Sequence, residues 1–185
     1  MKGCLFLLFL LFQRDSFSQQ LTRQQMRDLF LSATERKSAL DSLMNKLEFI
    51  EKRTPAEESY LGICNGYYCQ HVDGNWAKLK YVMKAKNHLN SAVERDAKDP
   101  ELRFMRLMLE HFLPSFLGLN KHIDEDLKVI FANSGFIDDN PPVKKKALDF
   151  LLWSKRCTPE QEKRLLAELN ELNKKLSPLQ AKKGG

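Results

Sequence analysis

The sequence has no segment of sustained apolar and polar alternation between turn signals, and so no candidate β-strand. It also lacks Gly-x-Ser-x-Gly, a glycine-rich phosphate loop, His-Glu-x-x-His and any two histidines four apart. The usual signatures of serine hydrolases, nucleotide loops and zinc proteases are therefore missing. No Asn-x-Ser/Thr acceptor occurs. The net charge is only +6, and the lysine runs at 144–146, 174–175 and 182–183 are scattered, which argues against a nucleic-acid face. No apolar run is long enough to span a bilayer. The longest, residues 4–12, would rise about 14 Å as a helix, against a hydrocarbon core of about 30 Å.

That short run has another reading. Lys2 precedes it, and Ser16 and Ser18 stand at the −3 and −1 positions before Gln19, as in a signal-peptidase site. Residues 1–18 are thus expected to be a signal peptide, with a buried N-terminal helix as the alternative. Cleavage near Ser18-Gln19 would leave an exported, periplasmic or secreted protein with no membrane span. Residues 19–180 form one domain's worth of chain, and residues 181–185 are expected to be a disordered tail.

Proline organises that domain. Thr54-Pro55, Asp99-Pro100, Asn140-Pro141 and Thr158-Pro159 each set a good N-cap residue before a proline, whose fixed φ and missing N–H suit the first helical position. Thr54 with Glu57 and Thr158 with Gln161 also make capping boxes. Helical periodicity fills the intervals: Met26/Leu29/Phe30/Ala33, then Leu40/Leu43/Met44/Leu47/Ile50, then Tyr60 to Tyr68 after Pro55. A break at 72–75 precedes a long helix to about Ala97. The segment 102–113 is apolar on nearly every side and is expected to be the most buried helix. Ile123/Leu127/Ile130/Phe131 mark the next helix, closed by Asn133-Ser134-Gly135. Ala147/Leu148/Leu151/Leu152 and Leu165/Leu169/Leu172/Leu176 mark the last two. The expectation is an all-α chain of about eight helices, taken as four antiparallel pairs in a bundle or superhelical stack.

Ala85-x-x-x-Leu89-x-x-Ala92-Val93 followed by Asp99-Pro100 resembles the second helix of a tetratricopeptide repeat, although the proline falls three positions late. Tyr60-Leu61-Gly62, Glu101-Leu102-Arg103-Phe104-Met105-Arg106, Phe112 to Gly118 and Asp124-Glu125-Asp126 together resemble uncharacterised exported helical proteins of Bacteroidota. The likeness covers roughly residues 25 to 133. It implies an exported helical fold and no particular chemistry.

Three sets of residues are candidates for a site. Cys64 and Cys69 fit neither a redox nor a haem motif, and at about 140° apart around one helix they cannot bridge each other. Packing is their first reading; a disulfide through Cys157 and a metal or redox role are the others. Arg103, Arg106 and Glu110 form a polar stripe on an otherwise apolar helix, with Asp124, Glu125 and Asp126 nearby in sequence. An internal network is the first expectation, and an anion site on Arg103 and Arg106 an alternative. Tyr60, Tyr67, Tyr68, Trp76 and Tyr81 either pack between helices or line a groove for a protein or peptide partner. His71, His88, His111 and His122 have no metal-ligand spacing. The resulting expectation is a non-catalytic binding or scaffold protein of the bacterial envelope that uses no cofactor or metal. Small-ligand binding is the second reading, and an unrecognised hydrolase the third.

Overall fold

The computed structural model describes residues 20–133 and 136–181, the side chains of 177–181 excepted. The signal-peptide reading of residues 1–18, the turn residues Ser134 and Gly135, and residues 182–185 of the expected tail lie outside the described residues. Ala181, assigned above to the tail, ends the last helix. Eight α-helices and no strand occur among the described residues: α1 (Arg23–Ala33), α2 (Lys37–Glu48), α3 (Pro55–Tyr68), α4 (Asn75–Arg95), α5 (Pro100–Phe112), α6 (Ile123–Ala132), α7 (Pro141–Ser154) and α8 (Pro159–Ala181). Short 3₁₀ turns at Cys69–His71 and Ser115–Leu117 follow α3 and α5.

All four proline starts open helices where their caps predict. Thr54 accepts from the Glu57 amide while Glu57 accepts from the Thr54 amide, closing the expected box, and Thr158 does the same with Gln161. Thr22 and Gln25 make a further box at the start of α1. The ends differ slightly from the periodicity: α4 stops at Arg95 rather than near Ala97, and α3 gives way to the 3₁₀ turn at Cys69.

Sequence neighbours pack on one another: α1 on α2, α2 on α3, α3 on α4, α4 on α5, α5 on α6 and α7 on α8. Gly62 of α3 faces His88 and Leu89 of α4, and Gly66 faces Ala85, so this pair runs antiparallel. Arg106 meets Asp126 and Glu110 meets His122, which makes α5 and α6 antiparallel too. Beyond these neighbours, α1 touches both α3 and α7, and α3 touches α5. The odd-numbered helices therefore gather around a common space.

α5 is the hinge of the packing. Its Met105 and Leu109 belong to a core shared with α1–α4, while its Phe104 and Leu107 belong to a second core with α6–α8. Leu102 adds a third contact, with Ala92 and Val93 of α4. A helix covered on every side must be apolar nearly all round, and the charged exceptions in residues 102–113, Arg103, Arg106 and Glu110, are each paired with α6 or its N-cap His122. Each large side chain fully buried in this way contributes about 1.5–3 kcal/mol.

Candidate binding cleft

Three helices present the same spacing to one cavity, and a fourth adds to it. α1 supplies Arg27, Phe30, Leu31 and Thr34; α5 supplies Glu101, Phe104, Met105 and Met108; α7 supplies Val143, Lys146, Ala147 and Phe150. Each set runs i, i+3, i+4, i+7, one stripe of a helix. α3 adds Tyr60 and Tyr67, seven apart, and the turn before α7 adds Ile137. The cavity opens to solvent on one side and has a volume of about 220 Å³. Its walls are mostly rings and aliphatic chains. Phe30 meets Tyr60 and Tyr67 edge to face, with centroids 5.9 and 5.5 Å apart, and Phe104 meets Phe150 at 5.7 Å.

The polar end of the cavity is a closed network centred on Glu101. Its carboxylate accepts from Arg27 Nε at 2.9 Å and Nη2 at 2.8 Å, from Tyr60 Oη at 2.8 Å, and from Arg23 Nη1 at 3.2 Å. Arg27 Nη1 also donates to Asp139 at 2.5 Å, and Arg23 pairs with Asp99, the N-cap of α5. Both Arg27 and Glu101 are buried, and a buried charge is tolerable only when paired in this way. The hydrogen bonds to Glu101 raise the Arg27 pKa against the cost of burial. Burial first, and then the Glu101 charge, push the Tyr60 hydroxyl well above its ordinary value. The network holds fixed charges and a neutral phenol, with its strongest donors and acceptors already engaged.

Only part of the sequence-derived candidate set lies here. Tyr60 and Tyr67 line the cavity. Tyr68 does not: its ring stacks on Tyr81 with centroids 4.8 Å apart, and Lys37 Nζ lies 3.2 Å from its hydroxyl. Trp76 stands 85% exposed in the first turn of α4, apart from the cleft, so the tyrosines and Trp76 do not form one groove. Periodicity alone could not separate these faces, because which side of α3 meets α1 is decided by the packing of both.

Arg103 and Arg106 are buried against α6. Arg106 donates to both oxygens of Asp126, at 2.9 and 2.6 Å. Arg103 donates to Asp126 at 3.0 Å, to Glu125 at 2.5 Å and to the Ala97 carbonyl at 2.9 Å. This is the internal network the sequence suggests, and an anion would have to displace Asp126 from both guanidiniums to bind them. Glu110 is fully buried and holds His122 through the backbone amide at 2.8 Å and Nδ1 at 2.6 Å.

The three described cysteines, Cys64, Cys69 and Cys157, are free thiols. Cys64 is fully buried in the core of α1–α4, where burial raises its pKa, while Cys157 packs against the second core; the two sit in different cores and do not bridge. Cys69, the C-cap of α3, hydrogen-bonds to backbone carbonyls of Asn65 and Lys78. Among the described residues no cluster of three His, Cys, Asp or Glu side chains could hold a metal ion.

Sequence reasoning missed Arg27, Phe30, Phe104 and Phe150 as cleft residues. The signal that could have found them is the repeated i, i+3, i+4, i+7 stripe in α1, α5 and α7. No family model, curated protein or solved structure matches the chain.

Proposed function

We propose that the chain is an exported, non-catalytic binding protein of the bacterial envelope whose cleft takes up an apolar anchor side chain of a peptide or protein partner. The observation that carries this reading is the apolar and aromatic cavity of about 220 Å³ between α1, α3, α5 and α7. An apolar cavity of about 150 Å³ accepts a benzene-sized group, whereas sites for drug-sized ligands run from about 300 Å³ upward. The cleft therefore suits one ring or branched aliphatic side chain better than a whole cofactor. Its ionisable groups hold one another, which supports a site that offers apolar surface rather than acid, base or nucleophile. The export component rests on the leader pattern of residues 1–18 alone.

The test is an array of synthetic peptides, each carrying one Leu, Met, Phe or Trp in a Ser/Gln background. The array is probed with the parent protein, Ala147→Phe and Trp76→Ala. The buried Ala147 lines the cavity, and a phenyl ring there would occupy the anchor's place. Ala147→Phe is expected to weaken binding by roughly tenfold or more, as loss of a central anchor contact does. Trp76→Ala should leave binding unchanged. Equal binding by the parent and by a folded Ala147→Phe protein would refute the reading.

A further inference from the structure

Two walls of the cleft continue one turn past its end. Arg27 meets Asp139 and Glu35 meets Lys146, so α1 and α7 run the same way. Phe104 meets Phe136 and His111 meets Trp153, so α5 runs with them. The α5 stripe leaves the cavity at Met108 and the α7 stripe at Phe150. The next positions on the same faces, three or four residues on, are His111 and Phe112 in α5 and Trp153 in α7. α1 has no such continuation: it ends at Ala33, and its cap Thr34 is its last residue in the cleft.

The part of α5 and α7 that outruns α1 is an aromatic shelf. The rings of Phe112, Phe150 and Trp153 form a near-equilateral triangle with centroids 5.8 to 6.1 Å apart. His111 lies 5.1 to 5.5 Å from all three. Phe112 and Trp153 remain 66% and 61% exposed. Phe150 belongs to both places, since it also lines the cavity and meets Phe104 there at 5.7 Å. The apolar surface is therefore continuous from cavity to shelf through one ring.

We propose that the shelf is a second subsite of the cleft, and that the partner is an amphipathic helix with two apolar side chains one turn apart. This rests on the reading of the cavity as an anchor pocket. One turn of α5 or α7 advances about 5.4 Å, and residues three or four apart on a partner helix stand about 5–6 Å apart at Cβ. The cavity holds a single ring, so the partner's next apolar side chain covers Phe112 and Trp153 instead. An extended peptide would find no strand edge among the described residues to pair its backbone, whereas a helix satisfies its own.

Three helix-forming peptides in an Ala/Glu/Lys background test this. One carries a single leucine, one carries two leucines four apart, and one carries two leucines two apart, which fall on different helix faces. Binding is measured by anisotropy to the full chain carrying Trp76→Phe, in which Trp153 is the only indole. The four-apart peptide is expected to bind roughly tenfold more tightly than the single-leucine peptide and to shift Trp153 emission. Phe112→Ser/Trp153→Ser alters two exposed side chains, and it should remove that gain while leaving single-leucine binding unchanged. Equal affinity for those two peptides overturns the proposal, as does an equal gain from the two-apart peptide or a gain that survives Phe112→Ser/Trp153→Ser. If single-leucine binding is still lost in Ala147→Phe, the cavity reading stands even then. Trp153 emission that shifts with protein concentration alone shows a second copy on the shelf and also overturns it. Binding by none of the peptides refutes the cavity reading and this proposal together.

Discussion

Glu101 shows how much one residue can carry. It is the shared acceptor for Arg27, Arg23 and Tyr60, and it joins α5 to α1 and α3. Neutralising it as Glu101→Gln leaves the buried Arg27 guanidinium without its main counter-charge, a change that typically costs about 3–5 kcal/mol. Tyr60→Phe removes one bond to a charged group and should cost about 2 kcal/mol. Urea unfolding of the two variants gives both values. A loss below about 1 kcal/mol for Glu101→Gln would mean that the network does not hold the floor of the cleft. The same logic explains why the Arg103 and Arg106 stripe was readable. Charges on a helix apolar elsewhere need partners, and the acids of 124–126 were the nearest candidates. That Asp126 takes both arginines, with Glu125 hydrogen-bonded to Arg103 and 4.0 Å from Arg106, depends on how α5 and α6 are rotated.

At the scale of elements, α3 and α4 approach closely because glycines floor their contact. A Cβ at Gly62 would lie 2.8 Å from Leu89 Cγ, 3.1 Å from His88 Cβ and 3.2 Å from the Ala85 carbonyl oxygen. Two of those three atoms are held by the α4 backbone, so Gly62→Ala must push the helices apart. Overpacking of this kind costs about 1–3 kcal/mol, more than the roughly 1 kcal/mol alanine gains in helix propensity. At Gly66 the nearest atom is Leu109 Cδ1 at 3.2 Å, the end of a flexible side chain. Gly66→Ala should therefore be neutral or mildly stabilising. Thermal melts of the two variants check the contrast, and a Gly62→Ala protein at least as stable as the parent would contradict it. The helix starts needed no such tertiary information: Thr54, Asp99, Asn140 and Thr158 cap their own helices through contacts two or three residues away.

For the whole molecule, the titrating groups set a stability window. Burial raises the Glu58 carboxyl, but hydrogen bonds from His88 and Arg53 outweigh it and bring the pKa below its ordinary 4.5. The hydrogen bond from Arg103 lowers Glu125 as well. A carboxylate whose pKa is lower in the fold than in the unfolded chain stabilises above the unfolded value, and that stability is lost as pH falls through the folded one. At the other end, burial raises Cys64 and Tyr60 and lifts Cys157 to about 11. Raised groups stabilise below their unfolded pKa, and the contribution fades as pH climbs past 9.0, the ordinary thiol value. Burial also lowers the His111 pKa from its ordinary 6.5, so the melting temperature should be flat between about pH 7 and 9 and fall on both sides. A melting temperature that rises as pH drops below 4.5 would contradict the acid limb.

The sequence by itself determined the all-α class, the eight helices, four of their starts and the burial of α5. These follow from caps, prolines and apolar spacing, which act within a few residues of chain. It also marked Tyr60 and Tyr67 as aromatic candidates, and the arginines of α5 as charges in need of partners. Only the tertiary structure decided that Tyr68 and Trp76 stand outside the cleft, that Arg27 and Phe30 belong to it, and that Cys64 and Cys157 lie in separate cores. The physical reason is that a helical stripe fixes which residues share a face, while the face it meets depends on the packing of the other helices. Here α1 touches both α3 and α7, and that closure turns four separate helix faces into one cavity.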